Sequence, residues 1–317
     1  MTPNQIRLNQ NPILTGMFRA APQGAYIATE LLPNLPQRLS ENLFGETGLE
    51  ALRRYELSRS PGANTKRINI SLRGKVYTLK QKAVNVPIPR ELYEEEDNMK
   101  KLNVSNYPEL SQLAMNTVDE VLKLDYELDV SDMVKTPGIY PTGNVVTLLG
   151  PQKWSDLNSD PVADVKAAKE IIRQKTGTRA NTFTMGPAVE SVLLGHPKIV
   201  ALLAHTNDKI VTREHLKRFF EVERILVGES IWADDADNLL DVWGNMALLS
   251  YSPKIEIATA SLLNAPFGVT SVKEGHPFAE QVWFDKDAKS YIYGGTYERN
   301  PNLIKAAAGV LFDQPID

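Results

Sequence analysis

Two neighbouring stretches of opposite charge constrain this chain more than any other feature of its sequence. Residues 53–82 carry nine basic side chains and one acidic side chain, a formal sum of +8. Residues 91–132 carry three basic and twelve acidic side chains, a formal sum of −9. Because charged groups are costly to bury unless they are paired, a fold must keep both stretches at its surface or join them to each other, within one chain or between two copies.

The basic stretch contains the pattern of a β-hairpin. Apolar residues alternate with polar ones from Thr65 to Leu72, and Val76 to Thr78 resume the pattern after Arg73-Gly74-Lys75, which suits a turn. Residues 1–43 contain five prolines and no sustained apolar period, which favours an extended arm. We therefore expect an arm followed by a hairpin too polar to be buried in its own subunit.

The acidic stretch predicts two helices, the first opened by Pro89 and the second running from Pro108 to about Val130. At about 1.5 Å per residue the second helix would be roughly 34 Å long. Its buried stripe is expected at steps of three and four residues, namely at Leu110, Leu113, Thr117, Val121, Leu124 and Leu128. The rest of its surface would then be acidic.

Residues 157 to about 280 alternate between helical and strand patterns, which predicts an α/β domain. Asp160 and Pro161 are typical of a helix start, and Gly177 of its end. Short strands are expected at Thr182 to Met185, Val222 to Val227 and Asn245 to Ser250. The tail returns to strand patterns and closes with a strand at Ala308 to Phe312, so the whole chain is expected to be α+β.

Composition limits the classes of function. A length of 317 residues allows about two domains. The absence of cysteine excludes disulfides, thiol nucleophiles and cysteine zinc sites. A net charge of −4 lacks the basic excess of a dedicated nucleic-acid binder, and neither a secretory signal nor an apolar run long enough to span a bilayer is present.

The sequence contains none of the common catalytic motifs. Gly138 and Gly143 have the spacing of a phosphate-binding loop, but Asn144 and Val145 stand where that loop needs Lys and Ser or Thr. The four histidines lack zinc-site spacing, and no nucleophile elbow or dinucleotide fingerprint occurs. We therefore predict a protein that is not an enzyme, with no catalytic, cofactor-binding or metal-binding residues and no cofactor.

The order of elements and several local strings resemble the major capsid proteins of tailed phages, the family with the Hong Kong 97 fold. Residues 77–84 leading to 87–92 resemble the end of that family's extended hairpin, the E-loop, and its entry into the spine helix region. Residues 154–156, 160–165, 171–177, 181–187 and 192–199 resemble its axial A-domain. Residues 225–228 continue that match, and residues 306–312 resemble the final strand of its peripheral P-domain.

The resemblance implies five parts. These are an N-terminal arm over 1–45, an E-loop over 46–88, a first P-domain part with the spine helix over 89–156, an A-domain over 157–280, and P-domain return strands over 281–317. Since only some 45 residues precede the hairpin, a fused scaffold domain is not expected. A separate scaffolding protein, or none, is implied.

The resemblance also implies a function. The chain is expected to be the structural subunit that self-assembles, through hexamers and pentamers, into an icosahedral shell around double-stranded phage DNA. Further expected partners are a portal and a decoration protein, with DNA held by confinement and no membrane involved. The expected location is the virion capsid, after assembly in the host cytoplasm.

The two charged stretches supply the expected contacts between subunits, with basic residues of the hairpin region docking on acidic helical residues of a neighbour. The candidate residues are Arg59, Lys66, Arg67, Arg73, Lys75, Lys80, Lys82, Glu95, Glu96, Glu120 and Asp125. Two alternatives stay open at this point: an encapsulin-type nanocompartment shell, which packages protein cargo, and a soluble α/β enzyme whose basic stretch binds an anionic substrate.

Overall fold

A computed structural model describes residues 26–47, 53–69, 72–102, 109–203, 210–253 and 266–317. The seven α-helices of this part are α1 (Ala28–Leu31), α2 (Arg90–Lys101), α3 (Leu110–Lys135), α4 (Pro161–Thr176), α5 (Pro187–Gly195), α6 (Pro197–Leu202) and α7 (Arg213–Phe220). The first strands are β1 (Asn34–Gln37), β2 (Glu41–Thr47), β3 (Leu72–Thr78), β4 (Lys80–Pro89), β5 (Val145–Thr147), β6 (Thr182–Met185), β7 (Arg224–Val227) and β8 (Ile231–Ala233). The remaining strands are β9 (Leu239–Asp241), β10 (Met246–Ser250), β11 (Gly268–Lys273), β12 (Phe278–Ala279), β13 (Trp283–Asp285), β14 (Ser290–Leu303) and β15 (Gly309–Asp313).

Two larger sheets organise these elements. In one, β14 is the central strand: it pairs with β11, β12, β13 and, over ten residues, with β4, while β1 adds to β11. The other has the order β5-β15-β10-β6-β7 and mixes parallel and antiparallel pairs. Two separate two-stranded sheets, β2–β3 and β8–β9, complete the described strands. This mixture of sheets and helices is the α+β class that the sequence predicts.

The α/β part forms much as its local patterns predict. Asp160 accepts a hydrogen bond from the Ala163 N–H at the start of α4, and Gly177 ends the helix with the positive φ of 76° that favours glycine. Val165, Ala168 and Ile172 are buried in the main hydrophobic cluster, together with Trp154 and Phe183. The predicted start and end of this helix are confirmed.

The long helix α3 differs from its prediction in length and in the face it buries. It runs to Lys135, which makes it about 39 Å long at about 1.5 Å per residue. Leu113 and Val121, predicted as buried, are 50% and 45% exposed, whereas Leu110 is buried as predicted. Steps of four residues define the buried side, of which the first half packs on β4 and β14: Ala114, Val118, Leu122, Tyr126 and Val130. The predicted stripe was wrong at Leu113, Thr117 and Val121, whereas Leu124 and Leu128 are half-buried against the core. Apolar spacing selected a neighbouring face, because the buried side also includes the small Ala114 and charged residues.

The predicted hairpin is also wrong in its partner and its turn. Gly74, expected in the turn, lies within β3 opposite Gly45 of β2, because β3 pairs antiparallel with the arm segment Glu41–Thr47. Residues 65–69, expected in the first strand, have no strand structure. The extended-arm prediction falls partly outside the described residues, since these begin at residue 26, and within them the arm includes the one-turn helix α1. Local alternation identified a strand but could not identify a partner about thirty residues away.

Sheet membership does not follow the predicted division at residue 280. The last strand, expected among the P-domain return strands, lies between β5 and β10, with Leu248 opposite Leu311. Conversely, β11 lies in the sheet of β4 and β14, although its residues fall in the range predicted for the A-domain. Pairs between such distant segments leave no trace in local sequence patterns. No described helix is long and apolar enough to cross a membrane.

Gly228, which follows β7, lies against a buried indole. A Cβ atom at this residue would come within 1.9 Å of Cδ1 of Trp243. We expect Gly228→Ala to lower the free energy of unfolding by about 3 kcal/mol or more, because neither the ring nor the backbone has room to move. Gly195→Ala is the matched control, since a Cβ there meets no atom within 4 Å. Thermal unfolding of both variants as unassembled subunits tests this, and equal melting temperatures would contradict it.

Candidate functional site

The exposed part of the basic stretch is the irregular segment 53–69, which we call the basic loop. Its five basic residues, Arg53, Arg54, Arg59, Lys66 and Arg67, are all exposed. Inside the loop, the Arg59 guanidinium donates to Thr65 Oγ1 at 3.3 Å and Lys66 Nζ lies 5.6 Å from the Tyr55 ring centroid. Within the described residues, no ion pair joins the loop to the rest of the subunit. Among the described residues, the basic loop therefore presents a positive surface that forms no ion pair outside the loop.

The other basic candidates do not share one environment. Arg73 and Lys75 lie on β3, of which only the backbone is described at these positions. Lys80 is exposed at the start of β4. Lys82 is different, because its Nζ lies 2.6 Å from Oδ2 of Asp125 and 2.5 Å from Oδ2 of Asp129 on α3 of the same chain.

Two predicted contact residues thus contact each other within one subunit. Lys82 and Asp125 join the central sheet to the long helix, and part of the opposite charge of the two stretches is neutralised internally. Burial lowers the pKa of Lys82, but hydrogen bonds and charge from Asp125 and Asp129 outweigh it and raise the pKa above the ordinary value of 10.5. The pair stabilises the fold and is less available for a neighbour than the basic loop is.

The remaining acidic candidates likewise differ in their exposure and in their partners within the subunit. Glu95 on α2 is exposed. Glu96 is buried, and Lys100 of the same helix lies 2.5 Å from its carboxylate. Glu120 is exposed on α3 and accepts a 2.9 Å hydrogen bond from the Tyr26 hydroxyl. Glu95 and Glu120 are therefore the acidic candidates that a neighbouring subunit can reach directly.

Three charged residues inside the subunit were not among the candidates predicted from the sequence. Glu127 is fully buried on α3 and accepts hydrogen bonds from the N–H groups of Ile27 and Ala28 and from Trp243 Nε1. Asp119, also buried, is paired with Lys123 at 2.5 Å. Steps of four from the buried Met115 reach both acids, at residues 119 and 127, so the row of this helix that begins at an apolar residue would have identified them.

The third residue, Arg299 on β14, lies between two aromatic rings. Its guanidinium carbon is 4.0 Å from the ring centroid of Tyr126 and 3.9 Å from that of Tyr297, and it donates to the Leu122 carbonyl oxygen. Burial lowers the pKa of this guanidinium. Arg299 lines a cavity of about 490 Å³ between the arm, α3 and β11, together with Asp119 and Glu127. The lining of this cavity carries charges of both signs.

The candidate residues form charged contact surfaces, and the described residues do not meet the requirements of a metal site. The described residues contain no group of three or more His, Cys, Asp or Glu side chains that could hold a metal ion. His196 is buried and contacts Ser159, and His215 belongs to the capping box of α7 with Thr212. These histidines have structural partners, and what the site can do is attract and orient a surface of opposite charge.

The internal pair of Lys82 supports a prediction about subunit stability. We expect Lys82→Met to lower the free energy of unfolding by about 1 kcal/mol or less at pH 7, since the pair is partly exposed to solvent. Because the folded-state pKa of Lys82 is raised, this stabilisation is fully present below pH 10.5 and is lost as the pH rises through the raised value. Urea unfolding of unassembled subunits at several pH values measures it, with Lys80→Met as the control on the same strand. A deficit that grows at alkaline pH would contradict the prediction.

Comparison with known proteins identifies relatives along the whole chain, although no protein-family model matches it. The major capsid protein of Burkholderia phage BcepMu is 31% identical over 303 residues, which cover 95% of each chain. The major capsid protein of Pseudomonas phage JBD67 is 26% identical over 252 residues, 77% of this chain and 78% of the relative. A solved structure of a phage-related protein from Bordetella bronchiseptica RB50 is 31% identical, covers 98% of each chain and superimposes with a TM-score of 0.77. This chain therefore belongs to the phage major capsid proteins and has the Hong Kong 97 fold.

Proposed function

We propose that this subunit assembles through hexamers and pentamers into an icosahedral shell that encloses the double-stranded DNA of a phage. The observation that carries the proposal is the similarity to a phage major capsid protein over 95% of both chains. The exposed basic loop, which has no acidic partner in the rest of the described subunit, supports it further. We also infer a purely structural role, without enzymatic activity.

We propose that the basic loop docks on the exposed acidic residues of α2 and α3 of a neighbouring subunit. The reachable charges are complementary: Arg59, Lys66 and Arg67 are exposed on the loop, and Glu95 and Glu120 on the helices. Exposed pairs contribute about 0.2–1 kcal/mol each, so the effect is cumulative and acts mainly on encounter and orientation. Lys80, Arg73 and Lys75 extend the same positive surface along β3 and β4 in this proposal.

The domain roles are proposed with four strands reassigned from the sequence division. Residues 1–45 would be the arm, 46–88 the E-loop, and 89–156, apart from β5, the P-domain part with α3 as its spine helix. The A-domain would be the part built on the sheet of β6, β7 and β10, with β15 and β5 added to it. Strands β11 and β12 would belong with the P-domain sheet, since both pair with β14.

The partners of the shell are part of the same proposal. A separate scaffolding protein, a portal and a decoration protein would join subunits that assemble in the host cytoplasm and end in the virion. DNA would be held mainly by confinement, because the net charge of −4 gives the subunit no general attraction for phosphate.

Weak binding to DNA is a testable consequence of that charge. We expect unassembled subunits to bind duplex DNA weakly at physiological salt, with a dissociation constant of about 10⁻⁵ M or higher, which lies within the usual range of non-specific binding. A filter-binding assay across salt concentrations measures this. Submicromolar affinity with a steep salt dependence would show that counterion-releasing contacts hold the DNA instead.

Particle formation tests the proposed function itself. Expressed chains are separated by size-exclusion chromatography and imaged by negative-stain electron microscopy. We expect capsomers or megadalton shells, whereas a soluble enzyme would give a small oligomer. A single small species at every concentration and ionic strength would contradict the proposal.

An encapsulin-type shell is the second candidate, since the resemblance to the Hong Kong 97 fold covers both kinds of container. The 31% identity to a phage capsid protein favours the phage shell. Particle size in the micrographs and the presence of a co-purifying protein distinguish the two. Uniform small particles that co-purify with a protein cargo would favour the encapsulin.

A further inference from the structure

An exposed aromatic edge lies at one end of the central sheet, away from the charged candidates on the basic loop. It consists of Trp283 and Phe284 on β13 and Tyr291 on β14, whose exposed fractions are 49%, 38% and 36%. Of the four tryptophans, Trp154 and Trp243 are fully buried, so the exposure of Trp283 is unusual within this chain. Large aromatic side chains dominate interface energetics where they are covered.

The Phe284 and Tyr291 rings of the edge pack against other aromatic rings of the same subunit. The Phe284 and Tyr291 rings are cross-strand neighbours with centroids 5.0 Å apart, and Tyr291 meets the Tyr93 ring of α2 edge-on at 5.1 Å. The Tyr93 hydroxyl in turn hydrogen-bonds the hydroxyl of Tyr293, whose ring is buried. Alternation along β13 places Trp283 and Phe284 on opposite sides of the strand. Because the Phe284 and Tyr291 rings are already packed in the subunit, covering them would cost little side-chain entropy.

The surroundings of the aromatic edge carry both signs of charge. The Arg90 N–H donates to the Lys289 carbonyl oxygen at 3.0 Å, which joins the start of α2 to the turn after β13, and the Arg90 guanidinium pairs with Glu94 at 3.2 Å. Three basic and four acidic side chains lie in these segments: Arg90, Lys286, Lys289, Glu91, Glu94, Asp285 and Asp287. A rim whose charges sum to only −1 can meet an identical rim with little net repulsion, whereas a strongly basic or acidic partner would gain little from it.

We propose that the aromatic edge is an adhesive contact between copies of this chain, with Trp283 and Phe284 covered by the corresponding region of a neighbouring subunit. The inference rests on the proposed shell function and adds an apolar contact to the charged docking of the basic loop. The nearly neutral rim is the reason that a second copy, and not a strongly charged protein, is the assigned occupant.

Tryptophan fluorescence tests the contact directly. Subtracting the spectrum of Trp283→Phe from that of the wild type isolates the emission of Trp283, in subunits and in assembled particles. We expect this emission to be quenched by iodide in subunits, and to be shielded and shifted to shorter wavelength in particles. Emission that stays accessible in particles of pure chain would overturn the proposal, including the case in which another virion protein covers the edge.

Assembly thresholds provide the second measurement. We expect Trp283→Ser with Phe284→Ser to raise the concentration needed for assembly by on the order of tenfold or more, with unchanged circular dichroism and melting temperature of the subunits. Leu149→Ser with Leu157→Ser is the control, since these exposed leucines lie on the α/β part, at 68% and 71% exposure. A wild-type threshold for the aromatic variant would refute the contact while leaving the shell function intact. Failure of the wild-type chain to form any particle would refute the shell function instead.

Discussion

Reversal of three charges on the basic loop, through Arg59→Glu, Lys66→Glu and Arg67→Glu, should slow assembly by about ten- to a hundredfold at low ionic strength. The change moves the formal sum of residues 53–69 from +4 to −2 and touches no buried side chain. Exposed charges are screened over roughly 8–10 Å at physiological salt, so the difference from the wild type should shrink as salt is added. Light scattering during assembly across ionic strength measures both effects.

Two further variants show where the effect of this triple variant arises. Reversal of Lys166, Arg179 and Arg218 to Glu makes the same change in net charge on exposed residues of the α/β part, and it should slow assembly much less. Adding Glu95→Lys and Glu120→Lys to the loop variant should restore part of the rate. The docking proposal is wrong if the loop variant assembles at the wild-type rate in low salt, or if the control slows assembly equally.

Local signals predicted the elements of the α/β part well. The cap at Asp160 and the left-handed Gly177 each act within one turn of helix, so their meaning does not depend on the rest of the chain. The strand at Thr182–Met185 was predicted with its observed bounds. These elements could be predicted because the forces that determine them are local.

Pairings over long distances in sequence could not be predicted in this way. Nothing near Gly74 shows that the partner of β3 is Glu41–Thr47, and nothing near Leu311 shows that β15 joins the sheet of β10. The same limit applies to the candidate site, where Lys82 was assigned to a neighbour although Asp125 and Asp129 hold it within the subunit. Sequence reasoning identified the charges but not which of them the fold would already neutralise.

Removal of the buried Glu127 carboxylate should destabilise the subunit more than any surface change discussed above. Its Oε1 accepts from the Ile27 N–H at 2.9 Å and from Trp243 Nε1 at 2.6 Å, and its Oε2 accepts from the Ala28 N–H at 2.9 Å. The carboxylate thus joins the start of α1, the long helix and the segment before β10. We expect Glu127→Ala to lower the free energy of unfolding by about 3–5 kcal/mol, because three buried donors lose their acceptor.

Two other variants on α3 separate the loss of the buried hydrogen bonds from the general effect of a substitution on this helix. Glu127→Gln should cost about 1–2 kcal/mol, since its carbonyl oxygen can keep two of the donors while its amide group faces the third. Glu120→Ala, the exposed control on the same helix, should stay within about 0.5 kcal/mol of the wild type. Urea unfolding of unassembled subunits gives all three values, and limited proteolysis ahead of residue 26 should become faster in Glu127→Ala if the arm is released.

The pH dependence of this stability has a definite sign. Burial raises the pKa of Glu127 above its ordinary value of 4.5, although hydrogen bonds from Ile27, Ala28 and Trp243 counteract part of the effect. A carboxyl group with a raised folded-state pKa contributes stability below pH 4.5 that is lost as the pH rises through the folded value. The stability difference between the wild type and Glu127→Gln should therefore decrease as the pH rises from 4.5 and level off once Glu127 is ionised in the folded state. A difference that instead increases with pH would mean that the three donors, and not burial, dominate the pKa of this carboxylate.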